Sequence, residues 1–201
     1  MLTAFQNFLY TCAISFDLPI LDWIQANLQS GFMDKFMPFI TIFGDAGIFW
    51  MVWAGVLLIF RKTRKTGIGM FIAMILGLLV CNITLKPLVA RIRPYDLQAE
   101  LGVTIQLLCG PQHDFSFPSG HTIASFEAAV VLLKNNKKMG IPAMILAVLI
   151  SFSRLYLYVH YPTDVIVSII LGTIFALIGD AVAKLIAPKL GAGKKGKYEA
   201  C

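Results

Sequence analysis

Three short stretches carry side chains for which an apolar chain has little ordinary use: "KPLVARIRP" (Lys86–Pro94), "FPSGH" (Phe117–His121) and "SRLYLYVHYPTD" (Ser153–Asp164). Lys86, Arg93 and Arg154 are cations suited to the oxygens of a phosphate, and arginine adds planar two-pronged hydrogen bonding. Lys86 and Arg93 stand seven positions apart, about two helical turns, which predicts one shared helix face. Ser119 has N-cap chemistry and Gly120 lets the backbone come close, so a helix opening there presents free N–H groups to an anion. His121 and His160 supply two imidazoles. Asp164 follows His160 by four residues. If Pro162 permits a turn, Asp164 can hold one ring nitrogen protonated and leave the other as a nucleophile or base. Two histidines and a carboxylate could also bind Zn²⁺ or Fe²⁺, but three cations at the same pocket oppose a divalent ion. No metal or other cofactor is expected.

The surrounding chain decides where these groups sit. Of its 201 residues 58% are hydrophobic and only 14% charged, against about 25% charged in soluble domains. Mean hydropathy is +0.76. These values imply an all-α, polytopic membrane helical bundle. Thr66–Leu85 is 20 residues without a charge, enough to cross the hydrocarbon core. Ala46–Phe60, Ser119–Leu133, Met139–Phe152 and Val165–Leu185 come near that length. The N-terminal 45 residues form either an interfacial amphipathic helix plus a short span, or a first span broken at Gly31 and Gly44. Five to six transmembrane helices follow. The first fifteen residues lack Lys and Arg, so no cleaved signal peptide is expected. Residues 1–188 should form a single membrane-embedded domain and residues 189–201 a flexible basic tail.

Basic clusters at Arg61–Lys65, Lys134–Lys138 and Lys194–Lys197 fall on one side if the spans alternate. The positive-inside rule makes that side cytoplasmic and places all three unusual stretches at the extracytoplasmic ends. Lys86, Arg91 and Arg93 then stand on the wrong side for the rule, and an anionic ligand would explain their retention. The net charge of +6 does not point to nucleic acid, because the basic residues are split into short clusters between spans. The four cysteines show neither a CxxC pair nor metal-ligand spacing.

KxxxxxxRP (Lys86–Pro94), PSGH (Pro118–His121) and SRxxxxxHxxxD (Ser153–Asp164), in this order and spacing, resemble the three-part signature of the type-2 phosphatidic acid phosphatase superfamily. That superfamily includes lipid phosphatases, bacterial undecaprenyl diphosphate phosphatases and, distantly, vanadium haloperoxidases. The resemblance implies that His160 attacks phosphorus to form a phosphohistidine, with Asp164 orienting it. It implies that His121 protonates the leaving oxygen and later activates water. Lys86, Arg93, Arg154, Ser119 and the Gly120 N–H would hold the phosphoryl oxygens, without a metal. The implied substrate is a phospholipid or isoprenoid-lipid phosphate: undecaprenyl diphosphate, phosphatidylglycerol phosphate or phosphatidic acid. The implied location is a bacterial inner membrane, with the site facing outward. A lipid transporter or flippase that binds phosphate without hydrolysis is the alternative, and the His121, His160 and Asp164 set is more than binding requires.

Residues outside the signature receive plainer expectations. Arg91 reads as an interfacial anchor and His113 as a solvated loop residue. Tyr156, Tyr158 and Tyr161 read as an outer aromatic belt. Glu127 lies in mid-span, with packing and a pocket role both open. Asn82 reads as interhelical glue.

Overall fold

The computed structural model describes residues 4–188, and every regular element among them is helical. Helix α1 (Ala4–Cys12) passes through a π-helical turn (Ala13–Asp17) into α2 (Leu18–Leu28). The backbone turns extended at Gln29, and α3 (Met33–Thr41) begins beyond it. A 3-10 segment (Ile42–Gly47) follows, broken where Asp45 is extended and Ala46 and Gly47 take positive φ of 48° and 67°. Left-handed backbone favours glycine, so Gly47 suits the entry to α4 (Ile48–Ile59). Both interruptions lie close to the expected breaks at Gly31 and Gly44.

Helix α5 (Arg64–Gly77) runs through a π-helical stretch (Leu78–Leu85) into α6 (Lys86–Val89). The left-handed Ala90 stops it, and Pro94 then forces Arg93 into extended backbone before α7 (Pro94–Glu100). Lys86 and Arg93 therefore do not share a helix face, contrary to the expectation from their spacing. They meet instead through the left-handed break at Ala90 and a shared partner, Asp114. After the 101–119 loop come α8 (Gly120–Asn135), α9 (Lys137–Tyr156) and α10 (Pro162–Ile186).

Four helical stretches are long and apolar enough to span a bilayer: Met33–Ile59, Arg64–Glu100, Lys137–Tyr156 and Pro162–Ile186. Helix α8 has 16 residues and is enclosed by its neighbours, with Ala128, Ala129, Val131 and Leu132 buried. In contrast, Ile141, Ile145 and Val148 of α9 and Ile166, Ile170 and Ile174 of α10 form exposed stripes at helical spacing. Such stripes are the expected covering for a lipid-facing surface. Between helices the contacts are built from small residues. Ala54, Ala73, Ala147 and Ala176 are fully buried, and a Cβ on Gly179 would lie 2.4 Å from the Gly69 carbonyl oxygen. Close backbone approach of this kind replaces the hydrophobic drive that is absent between helices in lipid.

Asp180 shows which ends lie together. It accepts from Asn135 at 2.8 Å and pairs with Lys184 at 2.7 Å and Lys134 at 3.5 Å. Its backbone also lies against Gly69 in α5. The clusters around Arg61–Lys65 and Lys134–Lys138 thus share one end of the bundle, opposite the three signature stretches. The basic cluster at Lys194–Lys197 lies outside the described residues.

Candidate active site

At the end opposite the basic clusters, the bundle opens into a cavity of about 460 Å³. Lys86, Arg93, Gly120, His121, Arg154 and His160 line it, with Asn82 and Glu127 further along the wall. Six of the eight residues expected at the site thus face one space. Ser119 and Asp164 do not line it. Ser119 is the N-cap of α8 by backbone geometry, but its hydroxyl makes no capping bond and instead accepts from Thr122 at 3.1 Å. Its N–H donates to Ser168 Oγ at 2.8 Å. Ser119 therefore fixes the start of α8 against α10, and its side chain is not placed on the cavity as the resemblance implied.

His160 lies in the turn between α9 and α10 and is buried. Arg93 Nη1 stands 3.2 Å from its Nε2. Guanidinium has only protons to offer, so Nε2 accepts and the ring proton belongs on Nδ1. Nδ1 has no hydrogen-bond partner and stands 3.5 Å from Asp164 Oδ2. Burial first, then the charges of Arg93, Arg154 and Lys86, push the His160 pKa well below its ordinary value. A neutral ring with an Nε2 lone pair facing cations is the form a nucleophile requires.

Asp164 sits in the first turn of α10 and takes three hydrogen bonds. The Tyr161 N–H donates to Oδ2 at 3.1 Å, the Ser116 hydroxyl donates to the same oxygen, and Arg91 Nη1 donates to Oδ1 at 2.5 Å. Arg91 is 7% exposed, so it is no interfacial anchor. It is drawn inward because two buried carboxylates need its charge: Nη2 also donates to Asp17 at 2.7 Å. Tyr156, Tyr158 and Tyr161 are at most 1% exposed and likewise form no outer belt. Their hydroxyls and rings are used inside: Tyr156 donates to Asp34, Tyr158 donates to Asp22, and the Arg91 guanidinium lies 3.8 Å over the Tyr161 ring.

His121 opens α8, and its Nε2 stands 2.8 Å from Asp45 Oδ1 at the kink before α4. A Cβ on Gly44 would lie 2.6 Å from the ring, so a glycine there leaves room for the imidazole. Arg154 donates through Nη1 to Thr41 at 2.7 Å, while its buried Nε and Nη2 have no partner. Asp114 of the 101–119 loop joins two of the cations, taking Lys86 Nζ at 2.5 Å and Arg93 Nη2 on its two oxygens. Burial alone would raise its pKa, but the hydrogen bond and charge of Lys86, with Arg93 beside it, bring it down to about 2.

Asp17, Asp45, Arg91, Asp114 and Ser116 belong to no part of the signature. For Asp17, Asp45 and Arg91 the sequence displayed charge out of place, acidic residues in apolar N-terminal segments and a cation on the outer side; Asp114 and Ser116 are ordinary loop residues in sequence and carried no signal. Among the described residues, no group of three or more His, Cys, Asp and Glu side chains is arranged to hold a metal ion.

Comparison with known proteins identifies the family. The sequence model of the PAP2 superfamily matches residues 66–184. The undecaprenyl-diphosphatase of Sulfolobus acidocaldarius is 35% identical over 162 residues, covering 80% of this chain and 75% of the relative. The undecaprenyl-diphosphatase BcrC of Bacillus subtilis is 28% identical, with 78% of each chain covered. Among solved structures, LpxE of Aquifex aeolicus superposes with a TM-score of 0.71 at 28% identity, over 82% of this chain and 94% of the other. The transmembrane PAP2-type phosphatidylglycerolphosphate phosphatase from Bacillus subtilis gives 0.65 at 26% identity, over 90% and 94%. The fold and the relatives together define an integral membrane hydrolase, a lipid phosphatase built on a helical bundle. The chain belongs to the PAP2 superfamily.

Proposed function

We propose that this protein dephosphorylates an isoprenoid-lipid diphosphate, undecaprenyl diphosphate being the preferred substrate, through a phosphohistidine on His160. The observation that carries the reading is the His160 ring itself. Arg93 holds the Nε2 lone pair toward the cation-lined cavity while the Nδ1 proton faces Asp164.

In the first step Nε2 attacks the terminal phosphorus, and the bond to the bridging oxygen breaks. His121 gives its proton to that leaving oxygen, releasing the lipid monophosphate. In the second, His121 takes a proton from water as the water oxygen attacks phosphorus. The P–N bond breaks and inorganic phosphate departs. Lys86, Arg93, Arg154 and the Gly120 N–H stabilise the equatorial oxygens throughout, so the electrostatic work rests on fixed protein charges without a metal. The lipid chain lies along Met51, Met74, Leu78 and Ile123 of the cavity wall. Met51 and Leu78 are also exposed on the outside of the bundle, giving the chain a lateral way in. The basic end faces the cytoplasm of a bacterial cell and the site faces outward. Residues 1–188 act as one unit, because Asp17 and Thr41 reach the same site as the signature residues.

The test uses purified protein in detergent with EDTA and measures phosphate release from undecaprenyl diphosphate, phosphatidylglycerol phosphate and phosphatidic acid. Wild type should act on the diphosphate most efficiently. His160→Ala should release nothing and should form no acid-labile phosphoenzyme. A wild type that binds these lipids but hydrolyses none would make it a phosphate-binding transporter. Loss of activity in EDTA would refute the metal-free mechanism.

A further inference from the structure

Behind His160, on the side away from the cavity, a buried charge network ties the N-terminal helix to the first turn of α10. Asp17, in the π-helical turn between α1 and α2, is fully buried. One of its oxygens accepts the Thr163 N–H at 2.9 Å, and the other accepts the Thr163 hydroxyl at 2.8 Å and Arg91 Nη2 at 2.7 Å. Arg91 Nη1 reaches Asp164 Oδ1 and Thr163 Oγ1. The guanidinium is further held by the Tyr161 ring beneath it. Thr163 immediately precedes Asp164, so the latch closes one residue from the carboxylate that backs the imidazole.

We propose that Arg91, fixed by Asp17, is a positioning residue for His160, setting the plane of the Asp164 carboxylate so that Oδ2 stays beneath Nδ1. The inference rests on His160 being the nucleophile.

Two physical points support it. A carboxylate held through one oxygen can still rotate; holding Oδ1 by Arg91 and Oδ2 by Ser116 and the Tyr161 N–H fixes its plane. Charge count is the second point. Asp17, Asp164 and Arg91 together carry one net negative charge, which stays available to the imidazolium that forms when Nε2 bonds to phosphorus. The 3.5 Å gap between Nδ1 and Oδ2 is short enough for a small ring movement to close it as that charge develops.

Wild type, Arg91→Gln, Arg91→Lys, Asp17→Asn and His160→Ala are assayed on undecaprenyl diphosphate in detergent, each normalised to folded protein by size exclusion. Misplacing a reacting group by about 1 Å costs ~10²-fold in rate, so kcat of Arg91→Gln should fall by about that factor, with KM within ~3-fold of wild type. Asp17→Asn should lower kcat by about 10-fold, and Arg91→Lys should recover about 10-fold over Arg91→Gln. A merely structural bridge would lower the yield of folded protein and leave kcat alone. Folded Arg91→Gln or, should it not fold, Asp17→Asn with kcat within two-fold of wild type overturns the proposal. So does a rise in KM at constant kcat. An active His160→Ala instead removes the nucleophile on which both readings stand, and so separates the two failures.

Discussion

Replacing Asp114 by asparagine should tighten the binding of phosphate, although the residue bonds to two cations of the site. Its carboxylate occupies Lys86 and Arg93 in the way a phosphoryl group would, two oxygens against two positive side chains. A phosphate entering the cavity must therefore displace it. The strength of that hold can be worked from its acidity: the carboxyl is lowered from 3.8 to about 2, which at face value is roughly 2.5 kcal/mol. The side chain is 55% exposed, so solvent screening reduces this to ~1 kcal/mol, about five-fold in affinity. Competitive inhibition of lipid hydrolysis by inorganic phosphate or vanadate measures it directly. The inhibition constant for Asp114→Asn should be about five-fold lower than for wild type. Because the carboxyl is depressed, its contact with the cations is complete above pH ~3.8 and is lost only as pH falls through about 2. The five-fold gain should therefore be constant from pH ~5.5 to ~7.5. An unchanged or higher inhibition constant would refute the competition argument. It would mean that Asp114 organises Lys86 and Arg93 for the substrate and does not compete with it.

Three other outcomes follow from the geometry. Gly179→Ala sets a methyl 2.4 Å from the Gly69 carbonyl oxygen and 2.9 Å from Ala73 N, so α5 and α10 must separate. The expected loss is ~2 kcal/mol, a fall in Tm of about 5 °C in detergent, whereas Gly55→Ala, inside α4 with nothing within 4 Å, should not lower Tm. Gly77→Ala brings a methyl to 2.1 Å from Glu127 Oε1; it should lower Tm by a similar amount, and adding Glu127→Ala should restore most of it. If the double variant is no more stable than the single, the Gly77 contact is not what limits that position. Reporters inserted at Lys62 and near Gln106 should behave as cytoplasmic and external respectively, and the reverse result would turn the site inward.

The charged and imidazole residues of the signature were legible because each is expensive in an apolar chain and each stands at a fixed offset from its partners. The spans were legible for the complementary reason: uninterrupted apolar length has few other uses. Geometry inside the signature was less so. The interval from Lys86 to Arg93 looks like two helical turns, yet Ala90 and Pro94 break the helix, and a heptad count cannot register a left-handed residue. The tyrosines misled in a similar way. Tyr156, Tyr158 and Tyr161 stand where an interfacial belt would, but two carboxylates and a cation, Asp34, Asp22 and Arg91, claim them first.

Arg91 marks the deeper limit. Its charge was visible, and its placement on the outer side was already odd, but its partners lie 74 and 73 positions away. Local spacing carries no information about such a pairing, and an unpaired cation beside a membrane surface defaults to an anchor. What decides otherwise is the cost of burying Asp17 and Asp164 without a counter-charge, a cost that becomes apparent only once both are placed in one interior. The same reasoning recasts the acidic residues of the N-terminal region. Those acids are not lapses in hydrophobicity: Asp17, Asp22, Asp34 and Asp45 each reach a group on a later segment, and two of those groups are His121, which lines the cavity, and Arg91, which lies behind it. The N-terminal helices are therefore fastened to the site by charge, where the remaining helices are fastened to one another by small residues.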